Sequence, residues 1–267
     1  MNRAIVQTAG ADGEIGWPAV LAYQIYVEIV KTVRVPMFAV LTLVLPTLLF
    51  AMFGLPSVDE VHDGVNAGRF MMASFGTYAI MGVALFSFGV AIASERGMGW
   101  NRLLRATPLR PTSLFVAKIA MAALFGLAAL AVLYLFAAFV GHVSMELVGW
   151  CSLIGLLLVG MIPFVALGLW LGYIAGPSSA PVIANLMYLP LAFASGLFVP
   201  VEGLPPVVRS ITPYLPSYHI AQLGWTYLGA GDGVGIPGHL LWLTGFTVVF
   251  LVLARWAYQR DEGRAFG

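Results

Sequence analysis

Residues 94–114, SERGMGWNRLLRATPLRPTSL, interrupt an otherwise strongly apolar chain, and they decide the fold. The stretch holds four of the thirteen lysines and arginines, and Lys118 follows just beyond it. Long apolar runs flank it on both sides. A helix that spans a bilayer does not normally carry such a cluster, because each charge placed in the hydrocarbon costs several kcal/mol. The stretch is therefore predicted to be a cytoplasmic loop between two transmembrane helices.

The composition of the whole chain points to an integral membrane protein. Of its 267 residues, 60% are hydrophobic and only 9% are charged, whereas soluble domains carry about 25% charged residues. Too few charges are present to cover a soluble protein of this length. The net charge of +1 and the lack of a basic tail give no indication of nucleic-acid binding. Cys151 is the only cysteine, so a disulfide within the chain is excluded.

Six apolar runs are long enough to cross a membrane as helices, since a hydrocarbon core of about 30 Å needs about 20 residues. They lie at residues 36–55, 70–93, 115–140, 147–175, 179–199 and 238–258. No repeat or linker marks a second unit, so residues 1–267 are predicted to form one all-α transmembrane domain. Gly168 and Gly172 form a Gly-x-x-x-Gly pattern that permits close helix packing, either within one subunit or across a dimer.

The distribution of lysine and arginine predicts the orientation. With six spans, one side of the membrane receives residues 1–35, 94–118, 176–178 and the C-terminal end from Arg255. All lysines and arginines fall on that side except Arg69 and Arg209. Because positive residues are retained in the cytoplasm, both termini are predicted to be cytoplasmic.

Residues 18–35, ahead of the first apolar run, are predicted to form a different kind of helix. Two sets of residues recur there at helical spacing. The apolar and aromatic set is Tyr23, Tyr26, Val27 and Val30. The polar set is Gln24, Glu28, Lys31 and Arg34. This pattern is typical of an amphipathic helix that lies in the membrane interface.

The core of the arginine-rich loop alternates leucines with arginines and then stops a short helix. Its residues are Arg102, Leu103, Leu104, Arg105, Thr107, Pro108, Leu109 and Arg110. A short helix that exposes leucines at the membrane surface needs a partner, either lipid headgroups or another protein. Docking onto a cytosolic protein is the interpretation that we favour. The alternative is an interfacial helix without a protein partner, whose arginines reflect only the excess of positive residues in cytoplasmic loops.

Residues 200–225, after the fifth run, are apolar but rich in proline. The prolines are Pro200, Pro205, Pro206, Pro213 and Pro216. A continuous helix does not accommodate so many prolines, and a soluble loop is not this apolar. Broken helices that re-enter the outer membrane face, with protein covering their backbone, are predicted. The alternative is a hydrophobic outer loop with no functional role.

No catalytic or metal-binding pattern stands out. The phosphate-binding loop Gly-x-x-x-x-Gly-Lys-[Ser/Thr] is missing, so this chain is not predicted to hold ATP phosphates in that way. His142 and Glu146 have the i, i+4 spacing of metal ligands, but no third ligand is nearby. Ser195 is not part of a Gly-x-Ser-x-Gly elbow. No span has a central charged residue, which argues against a proton- or sodium-coupled transporter.

In combination, these features resemble the type-2 permease family of ABC exporters. An interfacial helix precedes six spans, the arginine-rich loop follows the second span, and GLFVP with LPPVVRSITPYLP follows the fifth. The family pattern of a Glu, a Gly and then Leu-Leu-x-x-[Ser/Thr]-Pro-Leu is matched by Glu95, Gly99, Leu103, Leu104, Thr107, Pro108 and Leu109. The resemblance covers residues 18–258.

The resemblance implies a half-channel that pairs with a second permease, as a homodimer or a heterodimer, among the lipids of a bacterial cytoplasmic (inner) membrane. A separate cytosolic ABC ATPase would bind ATP and Mg and would drive transport, while this chain would bind no cofactor. Residues 94–114 would be the coupling loop that docks on the ATPase. Glu95 would lie within reach of Lys31 or Arg34, and the prolines of 200–225 would belong to an outer gate.

The expected function is ATP-driven export of a hydrophobic or amphipathic small molecule, such as a drug-like compound or a lipid. Two alternatives come from other classes of protein. One is a passive channel or membrane scaffold whose arginine-rich loop recruits a different cytosolic partner. The other is an intramembrane enzyme that uses Ser195, His142 or Glu146.

Overall fold

The computed structural model describes residues 17–34, 40–62, 64–99 and 111–265. Within these ranges the chain is helical, apart from turns and one short hairpin. In the hairpin, β1 (Val61–His62) runs antiparallel to β2 (Val65–Asn66), with Val61 opposite Asn66. The predicted all-α class is confirmed.

The α-helices are described here in chain order. They are α1 (Trp17–Val33), α2 (Leu45–Leu49), α3 (Ala67–Ala84), α4 (Ala91–Gly97), α5 (Pro111–Phe139), α6 (Leu147–Gly160), α7 (Ile162–Ile174), α8 (Ala180–Ala194), α9 (Pro206–Ile211), α10 (Pro216–Leu228) and α11 (Gly235–Ala265). Wider π-helical turns at Val40–Val44 and Phe50–Gly54 flank α2, and another at Leu85–Val90 joins α3 to α4. Short 3-10 turns lie at Leu55–Ser57, Val201–Gly203 and Thr212–Tyr214.

Four helical stretches among the described residues are long and apolar enough to cross a membrane. They are Ala67–Gly97, Ser113–Phe139, Leu147–Ile174 and Gly235–Asp261. These stretches correspond to the second, third, fourth and sixth predicted runs. The first and fifth runs form shorter apolar helices, at Thr42–Ser57 and Ala180–Ala194.

The fifth run is shorter than predicted because a turn bounds it at each end. Before α8, the Ser179 hydroxyl accepts a hydrogen bond of 3.0 Å from the Gly176 N–H. After α8, Gly196 has φ +81°, a left-handed conformation that favours glycine. The 15 residues of α8 span about 22 Å, which is less than a hydrocarbon core of about 30 Å.

The stretch Ala67–Gly97 forms the centre of the molecule. Its most apolar part is 83% buried, compared with 11% for Gly235–Asp261. Glycines on α7 allow the close approach: a Cβ atom on Gly168 would lie 3.0 Å from the Ala84 carbonyl oxygen, and one on Gly172 would lie 2.8 Å from Ile92 Cβ. The Gly-x-x-x-Gly pattern therefore packs helices within one subunit.

Residues 200–225 fold into short helices that begin at prolines. Pro206 and Pro216 occupy the first turns of α9 and α10, where a backbone N–H is not needed. The other prolines lie beside or inside the short turns: Pro200, Pro205 and Pro213. Helix α10 is buried from Pro216 to Trp225, and the Trp225 ring stacks on Phe70 of α3 at 4.7 Å between centroids. Helix α10 is thus an integral part of the packed molecule, whereas α9 has no buried residue.

Helix α1 turns its polar side, and not its apolar side, towards the protein. Gln24 and Glu28 are buried, whereas Tyr23 and Tyr26 are about half exposed. The helix lies against α5, where the Thr32 hydroxyl contacts Met121 Sδ at 3.5 Å. The two-sided pattern predicted for residues 18–35 is present. Its polar residues face inward because they pair with Glu95 on α4 and Lys118 on α5.

Candidate functional site

Four charged side chains from three helices meet beside the last turn of α4. They are Glu28 and Lys31 on α1, Glu95 on α4 and Lys118 on α5, and we call them the charged junction. Lys31 Nζ lies 2.8 Å from Glu28 Oε1 and 2.5 Å from Glu95 Oε1. Lys118 Nζ lies 3.1 Å from Glu28 Oε2 and 2.8 Å from Glu95 Oε1. Each ammonium group therefore contacts both carboxylates.

Three of the four side chains in the junction are buried, while the Lys31 side chain is 36% exposed, and the charges are balanced. Glu28, Glu95 and Lys118 are 4%, 8% and 7% exposed. Buried charges are tolerated only when they are paired and hydrogen-bonded, and here two positive groups face two negative groups. Burial alone would lower the pKa of Lys31, but attraction to Glu95 and hydrogen bonds to both carboxylates outweigh it. The pKa of Lys31 is therefore raised above its ordinary value, and this group stays charged at neutral pH.

Local sequence places these groups on one side of each helix. Glu28 and Lys31 are three residues apart on α1, so they lie on neighbouring positions of one face. Gln24, one turn before Glu28, is buried on the same side. Glu95 lies in the last turn of α4, two residues before the helix ends at Gly97. The junction therefore joins α1 and α5 to the segment from which the arginine-rich loop departs.

The structure resolves a choice that the sequence left open. Glu95 was expected within reach of Lys31 or Arg34, and its ammonium partner on α1 is Lys31, while Arg34 is exposed. Lys118 was not predicted as a partner of Glu95, and Glu28 was not predicted to pair with either lysine. The signal that was available for Glu28 is its i, i+4 spacing from Gln24, which marks a polar stripe on a helix that packs against protein.

The arginine-rich loop lies largely outside the described residues. Arg102, Leu103, Leu104, Arg105, Thr107, Pro108 and Leu109 belong to this part, so their predicted docking role stays a prediction. The beginning of the loop is described: Gly99 has φ +72°, and its N–H donates to the Arg96 carbonyl at 3.0 Å. A left-handed glycine just past the last turn is a common helix ending. Glu95 is thus one helical turn before Gly99, where the chain leaves α4.

The turn between α7 and α8 lies directly against the end of α4. A Cβ atom on Gly97 would lie only 2.1 Å from Pro177 Cγ. Only glycine fits at this position without a shift of the 176–179 turn. The base of the loop is therefore in contact with a second helix connection.

A second polar cluster lies at the opposite end of the molecule, between α10 and the start of α11. His219 Nδ1 lies 3.0 Å from His239 Nδ1, and His239 Nε2 lies 3.1 Å from Asp232 Oδ1. Tyr218 donates to Asp232 Oδ2 at 2.8 Å, and the Gln222 amide donates to the Tyr218 oxygen at 2.8 Å. The two histidines are 20 residues apart in sequence, so no local spacing pattern predicts their contact.

The environment of this outer cluster changes the acidity of two groups. Burial, together with the neighbouring His239, lowers the pKa of His219 to about 4. For Asp232, burial would raise the pKa, but hydrogen bonds from the Val234 N–H and the Tyr218 hydroxyl outweigh it, so the pKa lies below its ordinary value. At neutral pH the cluster therefore contains an uncharged His219 and a charged Asp232.

The groups considered for an enzyme or a metal site do not converge. His142 and Glu146 are exposed. Ser195 is buried, and its hydroxyl pairs with the Ser217 hydroxyl of α10. Among the described residues, no group of three or more His, Cys, Asp or Glu side chains is placed to hold a metal ion.

The fold and the junction define a class of protein: a multi-pass helical membrane protein whose loop-side helix ends are tied together by buried charges. Comparison with known proteins identifies the family. Residues 56–256 match the model of a family described as ABC-2 family transporter protein, so the chain belongs to the ABC-2 transporter family. The predicted resemblance to type-2 permeases is confirmed.

One relative extends the match to nearly the whole chain. It is "Putative transport permease YvfS" of Bacillus subtilis (strain 168), which is 25% identical over 243 residues. These residues cover 91% of this chain and 98% of the relative. Family and relative together support a permease subunit of a transporter, and not an enzyme.

Proposed function

We propose that this permease is the membrane half of an ATP-driven exporter that moves a hydrophobic or amphipathic small molecule out of the cytoplasm. The observation that carries the proposal is the charged junction at the base of the arginine-rich loop. A loop that is pushed by a partner transmits force only if its root is held rigidly. Glu95 provides that root, because it joins α4 to α1 and α5 through both lysines.

The proposed partner is a cytosolic ABC ATPase that binds ATP and Mg. Leu103, Leu104 and Leu109 fill an apolar cleft on the ATPase, and Arg102 and Arg105 pair with acidic residues on its rim. Closure of the ATPase around ATP pushes the loop, and the charged junction passes the movement to α1 and α5. Two permeases, identical or different, face each other above two ATPase subunits.

The proposed topology has six membrane passages with both termini in the cytoplasm. Four passages are the long apolar helices, and the shorter helices Thr42–Ser57 and Ala180–Ala194 supply the other two. The distribution of lysine and arginine supports the orientation. Residues 200–225 form the outer re-entrant segment, and the burial of α10 against α3 and α6 supports this.

The surfaces on the proposed outer side support a small cargo. Apart from the re-entrant segment, the described connections there are short, which argues against an outer domain that captures a polymer or a protein. A path between apolar helices suits a lipophilic molecule. Comparing resistance to a panel of lipophilic antibiotics and to ethidium, in cells with and without the gene, identifies the cargo class.

The test of the proposed function is Leu104→Asp in the permease reconstituted with its proposed ATPase partner. The loss of a packed leucine typically costs about 2–5 kcal/mol, which is enough to undo a modest interface. We expect the variant to insert normally but to lose ATP-dependent transport and to stop stimulating ATP hydrolysis.

The matched control is Arg209→Glu, a charge change on α9 at the proposed outer side. It is expected to leave binding of the ATPase unchanged. Normal transport by Leu104→Asp, or equal loss of ATPase binding in Arg209→Glu, contradicts the loop assignment or the topology. Transport by the wild-type permease in vesicles that lack any ATPase would indicate a passive channel instead.

A further inference from the structure

Arg96 follows Glu95 in the chain, yet its side chain connects to a different set of helices. Its Nε donates to Asp261 Oδ2 on α11 at 3.0 Å, and its Nη2 pairs with Asp261 Oδ1. Its Nη1 donates to the Gly172 carbonyl oxygen of α7 at 2.6 Å and lies 3.4 Å from the Ala175 carbonyl oxygen. All three guanidinium nitrogens are therefore engaged.

The Gly172 carbonyl needs such a donor. It belongs to the last turn of α7, where carbonyl groups lack a helical N–H partner. The residue that would normally donate to it is Gly176, but the Gly176 N–H bonds to the Ser179 hydroxyl instead. Arg96 replaces the missing donor and adds positive charge at a helix C-terminus, where it is favourable.

Aromatic contacts complete the arrangement. The Arg96 guanidinium carbon lies 5.7 Å from the centre of the Tyr173 ring, and that ring makes an edge contact with Tyr258 of α11 at 5.2 Å. Arginine is required for this set of contacts. Its planar guanidinium group donates two hydrogen bonds to one carboxylate and further bonds to carbonyl oxygens, whereas lysine has a single ammonium group.

We propose that Arg96 and Asp261 are a positioning pair that holds the ends of α7 and α11 at the base of the arginine-rich loop. This inference rests on the proposed function. Two consecutive residues on α4 then connect five helices at the base of the loop. Glu95 joins α4 to α1 and α5, and Arg96 joins α4 to α7 and α11. The pair sets how much transport is obtained from each ATP hydrolysed.

The pair is placed for positioning more than for folding stability. The Arg96 and Asp261 side chains are 20% and 33% exposed, so water partly solvates whichever group is left when its partner is removed. Loss of the pair therefore leaves the helices inserted and packed while the end of α11 is released.

The experiment uses the full-length permease with its ATPase in proteoliposomes. Asp261→Asn and Arg96→Gln are compared with the wild type, and the amount of ethidium transported per ATP hydrolysed is measured. We expect this ratio to fall about fivefold or more, the lower end of typical coupling between linked sites, with ATPase binding unchanged. The double variant Arg96→Asp with Asp261→Arg is expected to transport more ethidium per ATP hydrolysed than Arg96→Asp alone or Asp261→Arg alone, because the ion pair forms again in the reversed orientation.

The matched control is Arg260→Gln, which removes one positive charge from the same end of α11. The Arg260 guanidinium carbon lies 3.9 Å above the Trp256 ring of its own helix, so it forms a contact within α11. An unchanged ratio in both Asp261→Asn and Arg96→Gln, or an equal fall in Arg260→Gln, overturns the inference while the exporter function stands. If the wild type shows no ATP-dependent transport of ethidium or of any drug in the panel, the proposed function and the inference fail together.

A second readout does not depend on transport. Amide hydrogen exchange at the end of α11, from 255 to 261, is expected to be faster in Asp261→Asn than in the wild type. Unchanged exchange there shows that the pair does not hold the helix end, and it overturns the inference.

Discussion

At the scale of single residues, Glu95 links both ammonium groups of the charged junction to α4. It accepts hydrogen bonds from both lysines, at 2.5 Å from Lys31 and 2.8 Å from Lys118. Without it, two ammonium groups share the single carboxylate of Glu28. Lys118 is 7% exposed, so water does not compensate for the missing charge.

We therefore predict that Glu95→Ala lowers the free energy of unfolding by about 2–3 kcal/mol, somewhat less than the 3–5 kcal/mol typical of breaking a buried ion pair, because Glu28 remains as a partner. Chemical unfolding in detergent micelles measures this change. The control is Arg34→Ala at the exposed end of α1, which is expected to change stability by about 0.5 kcal/mol or less.

The double variant Glu95→Leu with Lys118→Leu separates charge from packing. Replacing a buried ion pair by apolar residues of similar volume is often neutral. The double variant is therefore expected to be more stable than Glu95→Ala. If Glu95→Ala unfolds like the wild type, the junction is hydrated in solution and does not act as a rigid root for the loop.

At the scale of elements, the outer cluster fastens α10 to the start of α11. His219 is 3% exposed, and its ring stacks on Trp242 at 5.1 Å between centroids. The groups that face it are His239 and Asp232, with Tyr218 beside them. A proton on His219 would place a charge in this buried contact, so the folded protein keeps the ring neutral.

This arrangement predicts that stability falls in mild acid. The pKa of His219 is lowered from 6.5 to about 4, so the unfolded chain takes up a proton in that range while the folded chain does not. The stabilising contribution is present above pH 6.5 and is lost as the pH falls towards 4. The free energy of unfolding is expected to decrease by about 2 kcal/mol between pH 6.5 and 4.5.

Melting temperatures of wild type and His219→Phe, measured across this pH range, test the prediction. Phenylalanine preserves the aromatic stack on Trp242 but does not titrate, so the variant is expected to show a flatter pH profile. An equally steep profile in both proteins would assign the acid sensitivity to other groups. Asp232, whose pKa is lowered, adds to the loss only below its ordinary value of 3.8.

At the scale of the whole molecule, the proposed topology places α9 outside and the end of α11 inside the cell. Val207 on α9 and Gln259 on α11 are both exposed. Single cysteines at these positions, in a Cys151→Ser background, are expected to react with a membrane-impermeant maleimide from opposite sides. Intact cells should label Val207→Cys, and inverted vesicles should label Gln259→Cys. Labelling of both from the same side would exclude the six-passage topology.

The large-scale organisation was predictable because it depends on properties of consecutive residues. The helical membrane class follows from local hydropathy, and so do four of the six predicted runs, which are long apolar helices in the structure. Lys31 was identified as one of two candidates for Glu95, since an unpaired charge near a helix end calls for an opposite charge nearby. The proline-rich segment was predicted to be broken because proline cannot continue a helix.

The sequence alone determined that this chain is an apolar helical protein with a charged loop, because composition and the positions of glycine, proline and arginine act locally. The contacts between distant groups depend on the three-dimensional packing. Lys118 reaches Glu28 across 90 residues, and Arg96 reaches Asp261 across 165 residues. Likewise, Gly168 packs within the subunit, and the polar side of α1 faces inward. These outcomes depend on how helix faces are rotated against one another, and that rotation is set by the packing of the whole core.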